Sequence, residues 1–148
     1  KAVDKIYKIK KRPKSKPLSV FVKNLKMAEN LAFINENQAK ILEKFWPGKY
    51  TFIFKRKPDI KLYGVDKNTI AVRIPKCRFL NDLLKKINKP LVQTSVNISG
   101  SNALNKVSDI INTFNTEDVL IIDGGNIKKD KSSKILDLTK NKIKTLRK

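Results

Sequence analysis

Residues 90–100, PLVQTSVNISG, hold the densest set of groups in this chain that could act on a ligand. An apolar run, Leu91 and Val92, breaks into Thr94, Ser95, Asn97 and Ser99 and stops at Gly100. A strand ending in small hydroxyl and amide side chains offers donors and acceptors at its carboxyl end, where open α/β sheets place ligands. Gly100 permits a sharp turn or a close approach of backbone to ligand. The same residues would equally serve an ordinary strand-to-loop transition with polar caps. Ser95 and Asn97 lie two apart and face the same way if the strand runs on through them.

A second segment, KKRPKSKPLSV at residues 10–20, follows a helical pattern of Val3, Ile6, Tyr7 and Ile9. Pro13 and Pro17 cannot continue a helix, so Lys10, Arg12 and Lys16 lie on a constrained connector. There they can converge on an anion, most simply a phosphate chain. A solvated lysine-rich loop is the plainer alternative. In TIAVR, Thr69 and Arg73 are four apart, so strand alternation sends both to one face. An arginine in an apolar strand is costly to bury unpaired, which favours an anionic ligand, with Asp123 or Asp137 as competing buried partners.

The elements that position these residues alternate along the chain. Helices are expected over residues 2–10, 37–45 (with Asn35 as N-cap), 79–87 and 107–114. Strands are expected over 18–22, 50–55, 69–74, 91–94, 120–123, 135–138 and 143–146. Residues 58–68 read as a loop, 126–134 as a polar, mobile stretch, and Trp46, Pro47 and Gly48 as a packed helix terminus. Interleaved helices and strands in 148 residues predict one α/β domain with its own core.

Composition narrows the chemistry. With no histidine there is no Ser-His-Asp or Cys-His nucleophile system and no histidine metal site, and the single cysteine, Cys77, cannot form an intrachain disulfide. Neither a G-x-x-x-x-G-K-[ST] loop nor a G-x-G-x-x-G turn is present. An enzyme built this way works by positioning substrates and stabilising charge. No apolar run approaches the roughly 20 residues a membrane helix needs, so the expectation is a cytoplasmic protein without membrane contact. The formal charge of +21 suggests polyanionic partners, although lysines spread along the chain also fit codon drift in an AT-rich genome.

The motifs in their order resemble the YrdC-like family of threonylcarbamoyl-AMP synthases. They are K-x-R-P leading to K-P-L (Lys10, Arg12, Pro13, Lys16, Pro17, Leu18), W-P-G (Trp46, Pro47, Gly48) and A-V-R-I-P (residues 71–75). P-L-V-x-T-S-x-N-x-S-G (90–100), S-x-I-x-D-L (133–138) and a closing I-x-x-L-R (143–147) complete the set. The resemblance implies a single YrdC-like domain over residues 1–148, a twisted mixed sheet with flanking helices around a basic cavity. It implies synthesis of threonylcarbamoyl-AMP and pyrophosphate from L-threonine, bicarbonate and ATP, with Mg2+ accompanying the nucleotide and no tightly bound cofactor. By correspondence Lys10, Arg12, Lys16, Thr69, Asn97 and Arg147 contact ATP, and Arg73, Ser95 and Ser133 contact threonine. No catalytic residue is assigned by the correspondence. The wider partners implied are tRNA or double-stranded RNA and a downstream threonylcarbamoyl transferase complex.

The chain departs from the pattern in places. Family members open with a strand and a P-T-x-T-x-Y-G-L loop whose threonine contacts the amino acid, whereas this chain starts at Lys1 inside the helix, as expected of an amino-terminally incomplete member. Val96 stands for the favoured alanine, Lys134 follows the serine in place of threonine, and Phe21 replaces a histidine found in some members. Two alternatives remain: a non-enzymatic basic RNA-binding module of the same fold, and a carbamoyl-transfer domain like that of hydrogenase maturation proteins, whose long zinc-finger chains are unlike this one.

Overall fold

A computed structural model describes residues 1–114, 119–127, 132–140 and 143–147. In chain order its elements are α1 (Ala2–Ile9), β1 (Ser19–Phe21), α2 (Leu25–Leu31), α3 (Glu36–Phe45), β2 (Tyr50–Lys55), β3 (Thr69–Arg73), α4 (Arg78–Ile87), β4 (Leu91–Gln93), α5 (Val107–Thr113), β5 (Lys134–Asp137) and β6 (Lys144–Arg147). They divide into two compact units. One comprises Lys1–Lys16 and Thr94–Lys131, and the other Pro17–Gln93 and Ser132–Lys148.

The second unit contains a six-stranded mixed sheet in the order β4-β1-β3-β2-β5-β6. Register follows the apolar alternation. Phe52 pairs with Val72 and Phe54 with Ile70 across antiparallel β2 and β3, and Val20 pairs with Val72 across parallel β1 and β3. These five side chains are all at most 1% exposed and pack with Met27, Ala28 and Leu31 of α2, Leu42 of α3, Trp46 and Leu138. Each fully buried Phe, Ile or Val contributes about 1.5–3 kcal/mol, so one sheet face is held firmly as core. Alternation then sends Phe21, Thr51, Ile53, Thr69, Ala71 and Arg73 to the other face.

Caps set the helix starts. Asn35 accepts from the Gln38 backbone at 2.9 Å while the Gln38 side chain accepts from the Asn35 N–H at 3.0 Å, a reciprocal capping box that opens α3. Asn24 caps α2 by accepting from Met27 N–H at 2.9 Å. The periodicity reading passes over α2, whose two turns follow a strand with little polar contrast. Trp46 closes α3 with its indole donating to the Tyr50 carbonyl at 2.9 Å, and a Cβ at Gly48 would overlap the Phe45 carbonyl oxygen. The W-P-G turn is therefore the packed terminus expected of it.

In the first unit, α1 ends at Ile9 with Lys10 as its C-cap, and Lys11 takes the left-handed conformation at φ 50° before Pro13. The Tyr7 hydroxyl, 6% exposed, donates to the Lys16 carbonyl at 3.2 Å and so ties the basic connector to the helix it leaves. The strand expected over 120–123 does not form. Residues 119–127 have no regular structure, and Leu120 and Ile122 are 88% and 61% exposed, because β propensity without a neighbouring strand does not hold an extended segment. The polar stretch expected over 126–134 lies partly outside the described residues. Among the described residues no helix is long and apolar enough to cross a membrane.

Candidate substrate-binding site

In the first unit a lysine organises the polar loop. Lys10 is only 3% exposed, and its Nζ donates to the carbonyls of Ser95 and Asn97, both at 2.6 Å, and to Asn97 Oδ1 at 2.8 Å. The Lys10 carbonyl in turn accepts from Ser99 N–H at 2.8 Å. Burial, and secondarily the charge of Arg12, lowers the Lys10 ammonium below its ordinary pKa of 10.5. Ser95 Oγ donates to Asn97 Oδ1 at 2.8 Å, and Asn97 Nδ2 donates to the Ser101 carbonyl at 2.6 Å. Strand β4 ends at Gln93, so the condition under which Ser95 and Asn97 would share a strand face is not met. They are brought together by Lys10 and by a turn in which Gly100 adopts φ 98°. Arg12 Nε donates to the Lys16 carbonyl at 3.1 Å, folding the connector on itself, and Lys16 is exposed.

In the second unit the strand register lines up a row across the open sheet face. Phe21 pairs with Arg73, and Thr51 with Ile135, which in turn pairs with Arg147. Arg73 Nε donates to the Gly48 carbonyl at 2.7 Å, and its guanidinium lies over the Phe21 ring at 5.6 Å. Phe21 thus gives the arginine a π-face where some family members carry histidine. Among the described residues no carboxylate pairs with Arg73. Asp123 Oδ1 accepts from Gly125 N–H at 2.7 Å and Asp137 Oδ1 from Thr139 N–H at 2.8 Å. Burial, then the charge of Arg147, lowers the Arg73 pKa, and burial lowers that of Arg147. The two guanidinium groups are near enough for the Arg147 charge to disfavour the charged form of Arg73, and no carboxylate among the described residues offsets it.

Ser133 joins this row. Arg147 donates from Nε to the Ser133 carbonyl at 2.8 Å and from Nη2 to Ser133 Oγ at 2.9 Å. Thr51, 2% exposed, reaches Ser133 Oγ at 3.3 Å. Neither Thr51 nor the Gly48 carbonyl was singled out as a site group from the sequence, although a buried threonine among YTFIFK aromatics carried a signal. Thr51→Val is expected to change unfolding free energy by about 1 kcal/mol, the usual worth of one hydrogen bond. Chemical denaturation of the variant checks this.

Thr69 stands at the opposite end of β3. Its Oγ1 donates to Asp66 Oδ1 at 2.9 Å, which also accepts from the N–H groups of Asn68 at 2.9 Å and Thr69 at 2.8 Å. The Asn68 N–H leads in holding the Asp66 carboxyl below its ordinary 3.8; desolvation opposes it, and the Thr69 N–H, the Thr69 hydroxyl and the nearby Arg56 add to the lowering. A lowered native pKa gives stability that is complete above about 3.8 and disappears as pH falls through the lowered value. Asp66→Asn should therefore flatten the acid limb of the melting-temperature curve below pH 4, and equal wild-type and variant slopes there would contradict this.

The model of the Sua5/YciO/YrdC family, described as "telomere recombination", matches residues 1–148. The chain belongs to this family. A Methanocaldococcus jannaschii relative, whose name provisionally gives it threonylcarbamoyl-AMP synthase activity, is 37% identical over 147 residues, 99% of this chain and 69% of that protein. The threonylcarbamoyl-AMP synthase of Pyrococcus abyssi is 31% identical over 93% of this chain and 41% of its own length. The crystal structure of P. abyssi Sua5 complexed with L-threonine superposes with a TM-score of 0.89 at 28% identity, over 98% of this chain and 43% of that one. The chain thus spans well under half of the P. abyssi protein. The α/β mixed sheet expected of a Sua5/YciO/YrdC member is the one observed.

Proposed function

We propose that this protein is an L-threonylcarbamoyladenylate synthase and that residues 1–148 serve as a single YrdC-like domain. The observation that carries the reading is Arg73: a half-buried guanidinium, held by the Gly48 carbonyl and Phe21 and left without a carboxylate partner among the described residues. Together with Ser133 and Arg147 it suits the carboxylate and hydroxyl of threonine. Arg73's planar fork takes the carboxylate, and Ser95 and Ser133 supply hydroxyls. Arg12, Lys16, Thr69, Asn97 and Arg147 contact ATP, and Lys10 serves it by holding Asn97 and Ser95 in place.

The amine of threonine captures bicarbonate as a carbamate, a carbamate oxygen attacks the α-phosphate of ATP, and pyrophosphate leaves. The protein contributes in-line positioning and neutralisation of charge, the principal levers in phosphoryl chemistry. Among the described residues no three Asp, Glu, Cys or His side chains gather as a metal site, so Mg2+ would be held by the nucleotide phosphates. The product would pass to a threonylcarbamoyl transferase acting on tRNA in the cytoplasm. The test is to incubate the protein, expressed from its full reading frame, with ATP, bicarbonate and isotopically labelled threonine. Threonylcarbamoyl-AMP carrying the label is the expected product, and its absence overturns the reading.

A further inference from the structure

The direction of one proton decides what Ser133 can offer a ligand. Thr51 Oγ1 and Ser133 Oγ lie 3.3 Å apart, long for a bond between hydroxyls, and on distance alone either group could donate. Burial separates the two cases. Thr51 is 2% exposed, and among the described residues its hydroxyl meets no hydrogen-bonding group besides Ser133 Oγ. If Ser133 donated, the Thr51 proton would be shut away from water without an acceptor, which disfavours that arrangement by about one to two orders of magnitude. If Thr51 donates, the proton left over is that of Ser133, which is only half-buried, where water or a ligand can accept it. Thr51 is therefore the donor.

Arg147 fills the remaining place on the same oxygen. A guanidinium has donors only, and its Nη2 donates to Ser133 Oγ at 2.9 Å while Nε donates to the Ser133 carbonyl at 2.8 Å. A serine oxygen has two lone pairs and one proton. With Thr51 and Arg147 both donating to it, Ser133 Oγ has no accepting capacity left and can only give its proton away. Strand register holds the three groups together. Thr51 of β2 pairs with Ile135 of β5, two residues beyond Ser133, and Ile135 pairs with Arg147 of β6.

We propose, resting on the threonine reading given above, that Thr51 is a positioning residue that commits Ser133 to donate, so that Ser133 holds L-threonine by giving its proton to a ligand oxygen. Thr51 is too deeply buried to touch the substrate and acts through Ser133 alone. Two substitutions separate its hydroxyl from its methyl. Thr51→Ser keeps the hydroxyl and gives up the buried methyl, whereas Thr51→Val keeps the shape and gives up the hydroxyl. A residue that mattered only for packing would suffer more from serine than from valine.

L-threonine binding is measured by titration calorimetry on the protein expressed from its full reading frame, on Thr51→Val, Thr51→Ser and Ser133→Ala, and on the double variant Thr51→Val/Ser133→Ala. Melting curves verify that each is folded. Thr51→Val should bind about 3- to 10-fold more weakly, the worth of one ordinary hydrogen bond, and Thr51→Ser should stay within about twofold of wild type. In the Ser133→Ala background Thr51→Val should cost less than about twofold, because the group it acts through is gone. In NMR spectra of the ligand-free wild type, the Thr51 hydroxyl proton should be protected from exchange with water and that of Ser133 should not. This measurement decides the donor direction even where a variant does not fold. Equal losses in Thr51→Val and Thr51→Ser, the same loss with and without Ser133, or a protected Ser133 proton overturns the proposal. Wild type that binds no L-threonine, with its Thr51 proton protected, overturns the threonine reading beneath it.

Discussion

Arg73→Lys is expected to weaken L-threonine binding by about 1.5–3 kcal/mol, or roughly 10- to 150-fold, while ATP affinity changes little. Lysine keeps the charge but loses the planar two-pronged contact with a carboxylate. The ligand-free protein gives up the 2.7 Å bond to the Gly48 carbonyl and the guanidinium over Phe21, so its stability should fall by about 1 kcal/mol and no more. Titration calorimetry with each substrate and a melting curve separate the roles. A large loss of ligand-free stability with unchanged threonine affinity would make Arg73 a structural residue.

Lys10→Met is expected to be more damaging to the fold. The substitution keeps an apolar stem of similar length but removes the ammonium group, leaving the carbonyls of Ser95 and Asn97 without this donor and Asn97 Oδ1 with Ser95 Oγ alone. These acceptors lie on a partly buried loop that water reaches in part, so the loss totals about 1–3 kcal/mol. The denaturation midpoint should drop accordingly, and ATP binding should be lost with the placement of Asn97. If Lys10 instead touches phosphate directly, ligand-free stability would hardly move while ATP affinity collapsed. Denaturant titration of the variant distinguishes the two.

Much of the fold was legible because pattern and caps agree. The alternation of TIAVR put Ile70 and Val72 in the core and Thr69 and Arg73 opposite, and the register with Phe54 and Phe52 bears this out. Asn35 announced the start of α3 as an N-cap, and the structure adds its reciprocal bond with Gln38. The failures have physical causes. The apolar residues at 120–123 lack the strand partner that would order them, and α2 depends on packing Met27, Ala28 and Leu31 against the sheet more than on its own amphipathic contrast. At the site, residue types were readable but supports were not. That Lys10 turns inward, that Gly48 offers its carbonyl to Arg73, and that Thr51 braces Ser133 all follow from strand register and turn geometry rather than from local sequence. At Ser95 and Asn97 the condition for a shared strand face was not met, because the strand ends at Gln93.

The central claim, that the protein joins threonine, bicarbonate and ATP by adenylylation, is tested most directly by pyrophosphate release with each substrate omitted in turn. The protein expressed from its full reading frame should release pyrophosphate only when all three are present. Arg73→Lys should lower the rate at subsaturating threonine and recover much of it as threonine is raised, since the lost contact is one of substrate binding. Release that continues without threonine or without bicarbonate would contradict the account, as would no release from the complete mixture.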